Sequence, residues 1–118
     1  YKIYGMHHCV NFTTNNKKVG AVLIRAVEPL SKIEEMKKRR DTAKITNLTS
    51  GPGKLAKAFA ITKEHNGLQV GKKLKVLDDG YKVKKVGKSS RIGIKNALDL
   101  EWRFFIRKLR NNKNKCRI

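Results

Sequence analysis

The sequence predicts a single mixed α+β domain, and three local patterns carry that expectation. Short apolar or alternating stretches bounded by Gly, Pro or Asp-Gly read as strands. Two segments with apolar residues at helical spacing begin at serine- or glycine-containing starts, the first of them ending in a run of cations. Both kinds of element are interspersed along 118 residues, a length suited to one domain, since domains commonly hold roughly 100–150 residues.

Taken in order, YKIYGMHHCVNFTT reads as strand, tight turn and strand, with Gly5 supplying the turn. VGAVLIRAVEP is a continuous apolar run with one arginine and predicts a buried strand stopped by Pro29. Ser31 is placed to cap the next helix, with Glu34 three residues on completing a capping box. That helix, SKIEEMKKRRD, sets Ile33, Met36 and Lys37 on one side. TNLTSGPGKLAKAFAIT predicts a loop entering a second helix, with Ser50 or Gly51 as cap, Pro52 in the first turn, and Leu55, Ala58 and Phe59 at helical spacing. KKLKVLDDGYKVKKV alternates around Asp79-Gly80 and predicts a lysine-rich two-stranded hairpin. RIGIKNAL and EWRFFIRKL are short apolar segments, the second a strand with Trp102, Phe104 and Ile106 on one face. A basic tail covers about 107–118, and neither an internal repeat nor a second domain is visible.

Charge narrows the function. Lys+Arg number 29 against 9 Asp+Glu, a formal net charge of +20, which points to a polyanionic partner with nucleic acid the first candidate. No apolar run approaches the roughly 18–20 residues of a membrane-spanning helix, and the opening residues lack a secretory-signal pattern. Cys9 and Cys116 are too few for a disulfide framework and fit a reducing compartment. The expected location is cytoplasmic, nucleoid-associated in a bacterium.

Four constellations could carry chemistry. His7, His8 and Cys9 are adjacent, but period-two geometry sends His8 to the opposite face and no second ligand pair stands at zinc spacing. No metal or other cofactor is expected, and Cys9 is read as a buried small residue. Ser50-Gly51-Pro52-Gly53-Lys54 combines small residues, a helix start and a lysine; it is either an ordinary capped helix or a contact to a phosphate backbone. Arg25, alone in an apolar strand, requires an anion or several acceptors; it is a structural ion pair, a strand-end position or an active-site cation. Tyr1 and Tyr4 flank the first turn, where a flat ring could stack on a base, wedge into a duplex or simply fill a core.

YGMHHCVN (4–11), AVLIRAVEPL (21–30), MKKRR (36–40), LTSGPGKLAKAFAI (48–61), RIGI (91–94) and WRFFI (102–106) together resemble the alkyladenine (3-methyladenine) DNA glycosylase family of base-excision repair. The six blocks stand in the family's order and are spread over most of the chain, from residue 4 to residue 106. The resemblance implies a curved antiparallel sheet, open and barrel-like, with flanking helices and a hairpin projecting toward DNA. It also implies a monofunctional enzyme that flips an alkylated or deaminated purine out of double-stranded DNA and hydrolyses its N-glycosidic bond with water. On this basis Tyr4 matches the intercalating tyrosine and Tyr1 an aromatic that stacks on the extruded base. Asn11 matches the pocket residue that crowds the amine of guanine, and His7 lies where pocket-floor aromatics are common. Arg25 matches the arginine beside the catalytic water, and the backbone of Ile92 a carbonyl that helps hold it. Ser50, Gly51, Gly53 and Lys54 are assigned to the DNA backbone.

The family's general-base glutamate stands in an E-T-E-A-Y-like strand, and none of Glu28, Glu34, Glu35, Glu64 or Glu101 lies in such a motif. Residues 1–118 are therefore read as the C-terminal portion of one glycosylase domain, monomeric and inactive alone. The alternative is a non-catalytic basic nucleic-acid-binding protein of ribosome-associated type, or an inactive family member.

Overall fold

A computed structural model of the protein describes residues 2–3, 7–13 and 20–107. The chain divides into two units, Tyr1–Val76 and Leu77–Ile118. The class is mixed α+β: among the described residues two α-helices accompany three two-stranded antiparallel sheets.

In the first unit, β1 (Lys2–Ile3) pairs with β2 (His7–His8), Lys2 opposite His8 and Ile3 opposite His7. This is the expected strand–turn–strand opening; Gly5 itself lies outside the described residues. β3 (Val10–Thr13) pairs with β4 (Ala21–Ile24) in the register Val10↔Ile24 through Thr13↔Ala21. The apolar run around β4 was expected to be a buried strand reaching Pro29. Instead β4 stops at Ile24, and Val22 is 57% exposed. Among the described residues β4 pairs with β3 alone, which leaves Val22 and Leu23 exposed.

α1 (Ile33–Arg40) begins without the predicted serine cap. Lys32 occupies the cap position at φ 53°, in the left-handed region, and no side chain bonds the helix start. The expectation for Ser31 and Glu34 therefore fails: the box requires an extended cap residue, and the chain reverses one residue later. Charge supports the helix instead. Glu34 and Glu35 lie in the first turn and Lys37 to Arg40 in the last, complementing the dipole, with Lys37–Glu34 at 2.7 Å and Arg39–Glu35 at 3.0 Å. At the far end Asp41 is left-handed, and the amides of Asp41 and Thr42 donate to Lys38 and Lys37 carbonyls, closing the helix as a Schellman turn does.

α2 (Pro52–Ala58) starts as predicted, with Gly51 at the cap and Pro52 in the first turn. Leu55, Ala56 and Ala58 are buried, whereas Phe59 stands past the last turn and is exposed. The core is small: Met36 of α1, Leu48 of the connecting loop and Ala58 of α2, with Ile33 packed against them. Arg39 ties the helices together, its Nη1 donating to the Ala58 carbonyl at 3.0 Å while Nη2 meets Glu35.

In the second unit, β5 (Val86–Ser89) pairs with β6 (Arg103–Ile106), placing Gly87 opposite Phe105 and Lys88 opposite Phe104. The β6 strand was predicted. The lysine-rich hairpin around Asp79-Gly80 was predicted too, and it does not form: residues 75–85 contain no strand. The turn chemistry is nevertheless present. Asp78 and Asp79 each accept the amide two residues on, from Gly80 and Tyr81, at 2.9 Å, and Gly80 has φ 72°. Two successive aspartate turns hold the backbone locally, and the alternating flanks have no sheet on which to lie.

Candidate functional site

β3 forms one wall of an open cleft of about 750 Å³. Cys9, Asn11 and Thr13 line it from the β3 side, and Thr62, His65 and Leu74 from the segment after α2. Asn11 is held at the centre of the β3–β4 ladder opposite Leu23. Its Nδ2 is buried and, among the described residues, has no hydrogen-bond partner. Such an amide is unfavourable unless something supplies an acceptor, and the residue that carries it lines the cleft.

His65 sits on the other side, at the end of a 3-10 turn (Lys63–His65). The Thr62 amide donates to its Nδ1 at 3.2 Å. A ring nitrogen that accepts carries no proton, so neutral His65 keeps its hydrogen on Nε2. Sequence reasoning passed over His65; its only signal is the Thr62–His65 spacing of a capping box.

Arg25 follows β4 directly, and extending the Val10↔Ile24 register sets it opposite Cys9. Its guanidinium is half-buried and, among the described residues, enters no hydrogen bond or ion pair. The charge is felt at Cys9: burial raises the thiol pKa above 9.0, and nearby positive charge, Arg25 included, opposes that rise. Cys9 is 6% exposed, the buried small residue expected. Its linkage has a definite sign. Above pH 9.0 the unfolded thiol releases its proton while the folded one keeps it, so the folded state binds more protons and stability falls as pH rises from there toward the native pKa. Urea unfolding of Cys9→Ala across that range should show a shallower alkaline decline than the parent chain; identical slopes would refute the assignment.

The Ser50–Lys54 segment is tightly organised. Lys54 Nζ donates to the Asn47 side-chain oxygen, and Ser50 Oγ donates to the same atom at 3.4 Å. Thr49 Oγ1 donates to the Val27 carbonyl, and Arg40 Nε to the Leu48 carbonyl at 3.3 Å. Asn47 thus gathers the loop's hydroxyl and ammonium, a role that no local pattern announces. Gly53 allows a close approach: a Cβ there would stand 3.0 Å from Cβ and Cγ of His7, tighter than side chains ordinarily pack. His7 therefore packs on the first turn of α2 and is absent from the cleft lining. The residues assigned to base pocket and DNA backbone meet at that point.

Ile92 belongs to the second unit, in the irregular segment between β5 and β6, beside Gly93 at φ 78°. Tyr1 and Tyr4 lie outside the described residues, as does the tail beyond Arg107. Among the described residues no three His, Cys, Asp or Glu side chains converge as metal ligands, and no helix is long and apolar enough to cross a membrane.

Residues 1–110 match the family model described as methylpurine-DNA glycosylase (MPG). Curated relatives named "Putative 3-methyladenine DNA glycosylase" include one from Alkaliphilus oremlandii, 44% identical over 91% of this chain and 59% of its own length. Another, from Chlorobium phaeovibrioides, is 38% identical over 90% of this chain and 56% of its own. A third, from Agrobacterium fabrum, is 43% identical over 88% and 53%. The chain thus spans little more than half the length of these relatives.

Proposed function

This chain belongs to the methylpurine-DNA glycosylase family, and from that premise we propose that the protein releases alkylated or deaminated purines from double-stranded DNA. Water adds its oxygen to C1′ of the flipped nucleotide, the C1′–N bond breaks, and its electron pair leaves with the base. The water's proton passes to a general base. Water as nucleophile makes the enzyme monofunctional, since no lysine is needed for a Schiff base. Discrimination begins before chemistry, because damaged or weakly paired bases flip at least expense, a few kcal/mol.

The single observation that supports this reading best is Asn11. Asn11 lines the cleft, and its buried Nδ2 has no hydrogen-bond partner among the described residues; this suits a side chain that meets a base edge and crowds the exocyclic amine of guanine. Arg25, half-buried beside Cys9 with no ion pair among the described residues, suits a cation held near the reacting water. The Ile92 carbonyl is assigned to that water, Tyr4 to the gap left by the base, Tyr1 to stacking, and Ser50, Gly51, Gly53 and Lys54 to the DNA backbone. His7 supports the last group through its contact with Gly53. We assign the general-base glutamate to a segment other than residues 1–118, which together with them completes one domain built on a curved sheet.

Base release from duplexes carrying hypoxanthine or 3-methyladenine tests this, using the 118-residue chain and the full-length gene product side by side. Release by the longer form and not by the shorter is expected. In that longer form Asn11→Ser should raise guanine excision about tenfold, the scale of one lost steric contact. Release by neither form would overturn the proposal in favour of a non-catalytic nucleic-acid-binding protein, the reading that the charge of +20 also accommodates.

A further inference from the structure

The β5–β6 ribbon sets a cation beside each aromatic ring of β6 and its approach. Arg91 Cζ stands 5.3 Å from the Trp102 ring centre, Lys88 Nζ 5.6 Å from that of Phe104, and Arg103 Cζ 4.6 Å from that of Phe105. The three pairs differ in setting. Phe105 is half-buried over Gly87, and Arg103 is held by Ser89 Oγ at 2.9 Å. Trp102 and Phe104 are 62% and 61% exposed. Trp102 directly precedes β6, two residues before Phe104, and extending the strand's alternation by one residue puts both rings on one side of the ribbon.

Exposed aromatic rings interleaved with cations have a definite complement. A nucleotide offers a flat base for the ring and a phosphate for the cation. Arg91 is anchored beside Trp102: its Nη2 donates to the Asn96 carbonyl at 3.3 Å, and its buried Nε has no hydrogen-bond partner among the described residues. Spacing then selects the kind of strand. Residues two apart in a β-strand stand about 6.5–6.8 Å from one another, roughly twice the 3.4 Å rise per stacked base. Two rings at that interval meet successive bases only when the strand has been drawn out of its stack. Paired bases in a duplex hide their faces from both.

We propose that Trp102 and Phe104, with Arg91 and Lys88, form a stacking platform for single-stranded nucleic acid. It is carried by the second unit, whereas the cleft at Asn11 is lined by residues of the first, and it stands whether or not the protein excises bases. An acidic protein would satisfy the cations but would leave the rings without flat partners.

The sequence contains one tryptophan, so tryptophan emission reports Trp102 alone. Titrating the 118-residue chain with oligo(dT), at an ionic strength that screens the general surface charge, should quench that emission. A duplex of equal nucleotide content should quench it far less. Phe104→Leu should weaken oligo(dT) binding roughly tenfold or more, the scale of one lost base stack, with duplex affinity unchanged. Trp102→Phe, followed by anisotropy of a labelled oligonucleotide, should retain most of the affinity because it keeps a stacking face, whereas Trp102→Leu should not. Equal binding of oligo(rU) assigns the platform to single strands in general, and tighter binding of oligo(dT) assigns it to DNA. Equal quenching by duplex and single strand overturns the proposal. So does unchanged oligo(dT) affinity in Phe104→Leu, or emission that shifts with protein concentration and ignores oligo(dT), which would mark a ring covered by a second copy.

Discussion

Leu48→Ala should lower the stability of the first unit by about 2–5 kcal/mol, the range for deleting a buried leucine side chain. Leu48 is completely inaccessible and joins Met36 of α1 to Ala58 of α2. In so small a core few neighbours can move inward to fill the space, which favours the upper part of that range. The effect should also reach the candidate site. The Leu48 carbonyl accepts from Arg40 Nε, and its chain neighbours Asn47 and Thr49 hold Lys54 and the Val27 carbonyl. Urea unfolding should show a lower midpoint with an unchanged slope. Faster hydrogen exchange at the Leu55 amide, which donates to Gly51 at 2.8 Å, should accompany it. A loss below about 1 kcal/mol would mean that the loop collapses onto the gap and that Leu48 is not the joint between the helices.

Gly87→Ala should destabilise the β5–β6 ribbon by about 1–3 kcal/mol. Its sign is the informative part, because alanine ordinarily improves on glycine in a strand by roughly 0.5–1 kcal/mol. A Cβ at Gly87 would stand 2.6 Å from Cε2 and Cζ of Phe105, well inside contact distance. The ring cannot move without disturbing its stack with Arg103, which is itself bonded to Ser89. Thermal unfolding should therefore begin at a lower temperature, with loss of the Gly87–Phe105 pairing visible as deprotected amides in β5 and β6. Unchanged or increased stability would show that Phe105 swings aside freely.

Several elements were legible because their causes are local. Pro52 after Gly51 marks the start of α2, since proline needs no amide partner there. The cation-rich end of SKIEEMKKRRD marks the close of α1, and the apolar alternation of WRFFI marks β6. The failures are equally instructive. The Asp79-Gly80 signal specified a turn and received one, but a hairpin also needs flanks with a surface to lie on. Ser31 and Glu34 satisfied a capping pattern that the left-handed Lys32 made unusable.

The candidate site divides the same way. Residue type and spacing alone set the charge of +20 and the family-specific blocks containing Asn11 and Arg25. Tertiary structure alone decided that His7 leaves the cleft to rest on Gly53, and that Asn47 holds Lys54. It alone left the Asn11 amide buried without an acceptor among the described residues, and it brought His65 to the opposite wall. Helical spacing, caps and turns act within a few residues and are written in consecutive letters. Burial, register and the meeting of side chains from distant segments depend on how whole elements pack, and that is fixed only when the chain folds.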